Sequence, residues 1–246
     1  MASDTETKRQ MRQHEMEIEI DATVEQVWEA LSTSQGFASW FAPIVKVEPG
    51  EGGSVTVAWV PDMEGTQRIE VWKPNQHIRI VGDRSEGAPP SVVDYYVEAR
   101  GGSTVLRLVH SGFESTAKFD GEFDSTGGAW PVFLKILKHS VEHGVASCTN
   151  VCIFRMLPVP RAQAWEKLVA GVPEMQQGVS KHFNAATGTC AVEFPDSNHA
   201  LLSMFCEKAG GSSMLTMMWL LYGATPAEAE QVREDWTSRI DGIFKA

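Results

Sequence analysis

A long amphipathic helix that follows a series of strand-like segments is the feature that most constrains how this chain folds. The helix is predicted over about Pro131–His143. Apolar residues recur along it at intervals of three and four, which marks one helical stripe: Trp130, Phe133, Leu134, Leu137 and Val141. A single helix that follows a sheet buries its stripe most readily against the apolar face of that sheet. We therefore predict that the sheet curves around the helix and leaves a container between them.

The strand-like segments before this helix predict an antiparallel meander. They are separated by short turns rich in Gly, Pro and Asn, whereas parallel strands would need crossovers of a dozen or more residues. The predicted strands of this meander are Ile44–Glu48, Ser54–Val60, Gln67–Lys73, His77–Val81, Val92–Arg100 and Thr104–His110, and a separate first strand, Glu15–Ile20, precedes them. After the first strand, Asp21 or Thr23 can cap a helix that extends to about Ser32.

The second half of the chain repeats this pattern in a shorter form. It is predicted to contain a strand, a helix, three strands and a final helix: Cys148–Leu157, Pro160–Ala170, Thr189–Phe194, Ala200–Glu207, Ser213–Tyr222 and Pro226–Phe244. The pattern Trp-Glu-x-Leu occurs early in both halves, at 28–31 and 165–168. We predict a disordered tail (1–12), a complete α+β domain (13–147) and a smaller α+β domain (148–246) that is a degenerate second copy.

Composition and net charge argue against two kinds of partner, nucleic acids and a membrane interior. The net charge is −11, so an anionic nucleic acid would be repelled, and we expect no nucleic-acid partner. The N-terminus is polar, and no apolar stretch approaches the ~20 residues that a membrane span needs, so we expect no membrane insertion. The four cysteines are predicted to be reduced and buried, and the protein to be cytoplasmic.

Four motifs in the first half resemble those of the START-like superfamily, also called SRPBCC. They are Ile20-Asp-Ala-Thr-Val-Glu-Gln-Val-Trp28, Trp40-Phe-Ala-Pro43, Leu106-Arg-Leu-Val-His-Ser-Gly-Phe113 and Gly128-Ala-Trp-Pro131. The narrower resemblance is to the branch related to activators of the 90-kDa heat-shock protein ATPase. It implies the helix-grip fold, in which a curved antiparallel sheet grips the C-terminal helix around a ligand cavity. Because the superfamily contains carriers, enzymes and co-chaperones, the fold does not specify the function.

Two sequence patterns resemble metal-binding motifs, but neither of them predicts a metal site. His139–His143 spells H-x-x-E-H, the inverted zinc-protease signature. These histidines project away from the apolar stripe, so a solvated or interdomain face is expected. Asp120, Glu122 and Asp124 alternate in what we predict to be an acidic loop, without the Gly and Glu that an EF-hand requires. We expect no metal and no cofactor.

Aromatic side chains are the main functional candidates, because apolar walls with few polar groups are typical of small-molecule sites. Strand alternation puts Trp59, Tyr95 and His110 on inward faces. The candidate ligand-binding residues are Trp40, Phe41, Trp59, Tyr95, His110, Phe113, Trp130, Leu134 and Leu137. The loop Ser85–Ser91 is expected to flank the entrance.

The leading functional hypothesis is non-catalytic binding of a small hydrophobic or amphipathic ligand in the cavity. One alternative is a co-chaperone-like or regulatory domain whose partner is a chaperone or another protein. A further alternative is a cyclase- or dehydratase-type enzyme that uses His110 or Tyr95 for proton transfer. The sequence alone does not select among these classes.

Overall fold

The computed structural model describes residues 10–84 and 88–245. Most of the predicted tail and the part of the predicted entrance loop at 85–87 lie outside the described residues. The first strand begins at Met11, inside the segment predicted to be a tail. None of the helices in these two ranges is long and apolar enough to cross a membrane.

The first part of the chain forms an antiparallel seven-stranded sheet and three helices, as the α+β prediction requires. In chain order these are β1 (Met11–Ile20), α1 (Val24–Ser32), α2 (Ser34–Ala38), β2 (Ile44–Glu48), β3 (Ser54–Ala58), β4 (Glu64–Lys73), β5 (His77–Gly82), β6 (Ser91–Arg100), β7 (Ser103–Glu114) and α3 (Ala117–His143). The strand order is β1-β7-β6-β5-β4-β3-β2. Thr23 caps α1 through a capping box with Gln26.

The helix α3 is twice as long as the sequence predicts. The segment predicted as an acidic loop forms its first turns, and Pro131 lies inside it. A proline within a helix costs about 3 kcal/mol, because it removes a hydrogen bond and crowds the preceding turn. Tertiary packing offsets this cost: Phe119 is buried, and Phe123 stacks on His14 of β1 with ring centroids 4.0 Å apart. The sequence prediction was therefore wrong for the start of this helix.

The second part of the chain has the same order of elements with fewer strands. It comprises β8 (Cys148–Leu157), α4 (Arg161–Gly171), α5 (Glu174–Gln177), β9 (Val179–Asn184), β10 (Thr189–Phe194), β11 (Ala200–Ala209), β12 (Ser212–Tyr222) and α6 (Pro226–Phe244). Its antiparallel order is β8-β12-β11-β10-β9, so the first strand again pairs with the last. This arrangement agrees with a smaller second copy. The sequence prediction missed β9 and α5.

The second sheet packs on α3 from the side opposite the first sheet. One face of it joins the core that contains α3, through residues such as Phe205, Met218 and Leu220. The other face packs against α4 and α6, through residues such as Leu202 and Met217. Both sides of α3 are consequently buried, and Val132 and Ile136 belong to the same core cluster as these residues of the second sheet.

Gly112 fits a turn of β7 that no other residue can adopt without strain. Its φ is +96°, and a Cβ at this position would overlap the carbonyl oxygen of Pro90. The turn shifts the alternation of β7, so that both His110 and Phe113 face the core and their ring centroids lie 4.6 Å apart.

We expect Gly112→Ala to lower the free energy of unfolding by roughly 1–3 kcal/mol, because it adds both backbone strain and an overlap. Gly65→Ala is the matched control, since Gly65 is also in a strand but a Cβ there meets nothing within 4 Å. Urea unfolding of both variants measures the difference. Equal stability of the two would show that Gly112 is not structurally required.

Candidate functional site

A cavity of about 180 Å³ lies between the first sheet and α3. Most of its wall is apolar and aromatic: Phe37, Phe41, Val55, Val57, Ile80, Val93, Ala129, Trp130 and Phe133. A few polar side chains complete the wall: Gln67, Ser91, Tyr95, His110 and Thr126. An apolar enclosure with few polar groups suits a small apolar or amphipathic molecule.

His110 is fixed in one neutral tautomer. The Trp130 indole N–H donates to His110 Nδ1 at 2.9 Å, and His110 Nε2 lies 2.8 Å from Ser91 Oγ. Because an indole only donates, Nδ1 accepts and the ring proton is on Nε2, from which it is donated to Ser91. Burial, together with the positive charge of Arg84, lowers the pKa of His110 to about 3. The lone pair that a general base would need is already occupied.

Asp94 and Tyr95 are neighbours in β6 and therefore face opposite sides of the sheet. Tyr95 lines the cavity, and burial raises the pKa of its phenol. Asp94 therefore points outward, where it pairs with Arg79 Nε at 2.8 Å and His77 Nε2 at 2.6 Å. Asp94 therefore does not orient His110, whose ring nitrogens are engaged by Trp130 and Ser91.

A second cleft of about 380 Å³ adjoins the cavity and opens toward the second sheet. Phe41, Thr126, Ala129 and Phe133 line both spaces. Phe133 stacks on Phe205 of β11 with ring centroids 4.6 Å apart. The second sheet thus supplies one wall of the cleft that adjoins the cavity.

The predicted ligand-binding residues divide into three groups. Phe41, Tyr95, His110 and Trp130 line the cavity, and Trp59 lines the adjoining cleft. The structure puts Trp40, Phe113, Leu134 and Leu137 in the packed core outside both spaces. For Trp40 the reason is a hydrogen bond from its indole to the Ala30 carbonyl, 2.9 Å away, which turns the ring toward α1. Ligand binding by any of these residues stays a prediction.

Several lining residues were missed by the sequence prediction. Val55, Val57 and Val93 carry a signal, because they share strand faces with predicted lining residues. Gln67 and Thr126 carry none, since nothing in their sequence context distinguishes them from solvent-exposed polar residues, and Ser91 was expected only as the end of the entrance loop. Phe205 lines the adjoining cleft and belongs to the second half of the chain, whose approach to α3 depends on tertiary packing.

Residues 21–142 match the model of the family described as "Activator of Hsp90 ATPase homolog 1-like protein". No curated protein matches the chain.

Solved structures that resemble the chain do so at low sequence identity. The Aha1 dimer from Colwellia psychrerythraea is 20% identical, with 53% of this chain and 96% of that chain covered and a TM-score of 0.46. CalU16 from Micromonospora echinospora is 22% identical, with 55% and 85% covered and a TM-score of 0.43. DynU16, a putative protein in the dynemicin biosynthetic locus, is 14% identical, with 95% and 98% covered and a TM-score of 0.45.

The buried neutral His110 makes stability depend on pH. Its folded-state pKa of about 3 is below the unfolded value of 6.5, so the unfolded chain binds a proton that the folded chain excludes. The contribution of neutral His110 to the free energy of unfolding is complete above pH 6.5. It is lost as the pH falls from 6.5 toward 3, at about 1.4 kcal/mol per pH unit.

We expect His110→Gln to make the free energy of unfolding less dependent on pH between pH 6 and 4. The slope should fall by about 1.4 kcal/mol per pH unit, which corresponds to the one proton that the unfolded chain no longer binds. An amide at this position still offers a donor and an acceptor. Urea unfolding across this range measures the slope, and Gly65→Ala, which removes no ionisable group, is the control. A slope that His110→Gln leaves unchanged would contradict the assignment of a neutral His110.

Proposed function

We propose that the chain binds a small hydrophobic or amphipathic molecule between the first sheet and α3, within residues 21–142, which match the Activator of Hsp90 ATPase homolog 1-like family model. The observation that carries this proposal is the apolar cavity beside the fixed Ser91–His110–Trp130 cluster. Its polar groups orient a ligand, and its neutral histidine adds no charge that an apolar ligand would have to bury.

The size of the cavity limits the ligand. An apolar cavity of roughly 150 Å³ accommodates benzene, so about 180 Å³ suits one aromatic ring or a short acyl chain. A longer molecule extends past Phe41 and Phe133 into the adjoining cleft. The preferred ligand is therefore a ring or chain with one polar end, in which the polar end reaches Ser91 or Tyr95.

We expect Ala129→Leu to abolish binding, because Ala129 lines both the cavity and the cleft and a larger side chain fills the passage. The probes are indole and octanoate, measured by calorimetry and by quenching of tryptophan fluorescence. Ala117→Leu, an exposed position on the same helix, is the control.

Native mass spectrometry of protein purified from its source identifies any retained ligand. Equal probe binding by both variants, or an interior that retains and binds nothing, overturns the proposal.

A co-chaperone-like or regulatory role is the second candidate. It is supported by the name of the family and by the exposed apolar side chains Ile44 and Met63, the latter at the rim of the cleft. Under this role, the purified chain stimulates the ATPase of a 90-kDa heat-shock protein, and Met63→Ser weakens the effect. Absence of stimulation by the wild-type chain counts against it.

An enzyme of the cyclase or dehydratase kind is the third candidate and has less support. The His110 lone pair is occupied by Trp130, and burial raises the pKa of the Tyr95 phenol, so neither group is prepared to accept a proton. If the chain turned over a bound ligand, His110→Phe and Tyr95→Phe would stop turnover while binding persisted.

A further inference from the structure

Two histidines of α3 and a carboxylate of the second sheet lie together on the far side of the helix from the cavity. His139 and His143 are one helical turn apart, and Glu193 is on β10. One potential ligand atom from each of the three lies within 4.8 Å of the others. The residues come from two sheet-and-helix units, so no local sequence motif contains all of them.

Hydrogen bonds orient the two imidazoles. His143 Nδ1 lies 2.9 Å from the carbonyl oxygen of His139, so it donates there and leaves a lone pair on Nε2. That Nε2 is 3.8 Å from Glu193 Oε1, which is also an acceptor. His139 Nε2 donates to the carbonyl oxygen of His199 at 2.7 Å, which leaves its other ring nitrogen with a lone pair. Donation from one ring nitrogen to a carbonyl is how proteins orient imidazoles that bind metals.

The chemical types of the three groups suit a divalent cation. His139 and His143 each present a ring nitrogen, and Glu193 presents a carboxylate that Lys181 Nζ and His199 Nδ1 contact at 2.5 and 2.7 Å. Two imidazoles and one carboxylate form a donor set that Zn²⁺ prefers.

We propose that α3 and β10 form a binding site for a transition-metal dication of the Zn²⁺ class, with His139, His143 and Glu193 as ligands. His199 is a positioning residue, because its Nδ1 lies 2.7 Å from Glu193 Oε1 and holds the carboxylate in place. An adjoining cleft of about 340 Å³, lined by His139 and His143, gives the ion access. The ion joins the long helix to the second sheet.

The site differs from the zinc protease that H-x-x-E-H suggests. Glu142 accepts a hydrogen bond from the Asp21 backbone N–H at 2.8 Å and pairs with Lys138 at 2.7 Å. Its carboxylate is engaged at the start of α1 and is not available as a catalytic base.

Calorimetric titration of the metal-stripped full chain with ZnCl₂ tests the proposal, and Co²⁺ absorption reports the ligand geometry. We expect one Zn²⁺ per chain and tetrahedral Co²⁺ bands. His143→Ala and Glu193→Gln should each weaken Zn²⁺ binding at least tenfold. His182→Gln, which removes a histidine of the neighbouring strand outside the group, should leave it unchanged. Circular dichroism checks that each variant is folded.

Lys181→Met tests the proposal in the opposite direction, because it should raise the affinity for Zn²⁺ where the other variants lower it. Lys181 Nζ lies 2.5 Å from Glu193 Oε2 and competes with a cation for this carboxylate. Its removal should strengthen Zn²⁺ binding severalfold. If the wild-type chain binds no Zn²⁺, or if His143→Ala and Glu193→Gln bind it as the wild type does, the three residues form only an ion-pair network and the proposal is overturned.

Discussion

The burial of α3 on both sides is the constraint on which the rest of the structure depends. One side carries Trp130, Phe133 and Leu137 toward the first sheet, and the other carries Val132 and Ile136 toward the second. Each such buried side chain contributes roughly 1.5–3 kcal/mol. A few of them outweigh the cost of Pro131 in mid-helix, so packing decides the length of this helix.

The cavity and the histidine–glutamate group follow from this arrangement, because they lie on opposite sides of one helix. On the inner side, the indole of Trp130 fixes His110 as a neutral donor within an apolar enclosure. On the outer side, His139 and His143 meet Glu193 in a polar group. Phe133 links the two units directly, since it lines the cavity and stacks on Phe205. A change at the contact between α3 and the second sheet should therefore alter access to the cavity.

The sequence predicted the elements of the first unit well where the periodicity was strong. All seven strands were identified, and Ile44–Glu48 was bounded as the structure has it. The start of α3 was predicted incorrectly, because a proline such as Pro131 is typical of a helix boundary and the acidic residues before it are typical of a loop. The strand β9 was missed because Val179–Asn184 is mostly polar, its apolar residues Val179 and Phe183 are exposed, and it lacks the alternation that marks a half-buried strand.

By itself, the sequence determined the α+β class, the antiparallel order of short strands and the face of α3 that meets the first sheet. These properties follow from local periodicity and turn residues, which act between near neighbours in the chain. Only the tertiary structure decided which aromatic side chains line a space and which fill the core, since Trp40 and Trp130 are chemically alike. It also decided that Glu193 approaches His143, because residues fifty positions apart meet only when two sheets pack on one helix.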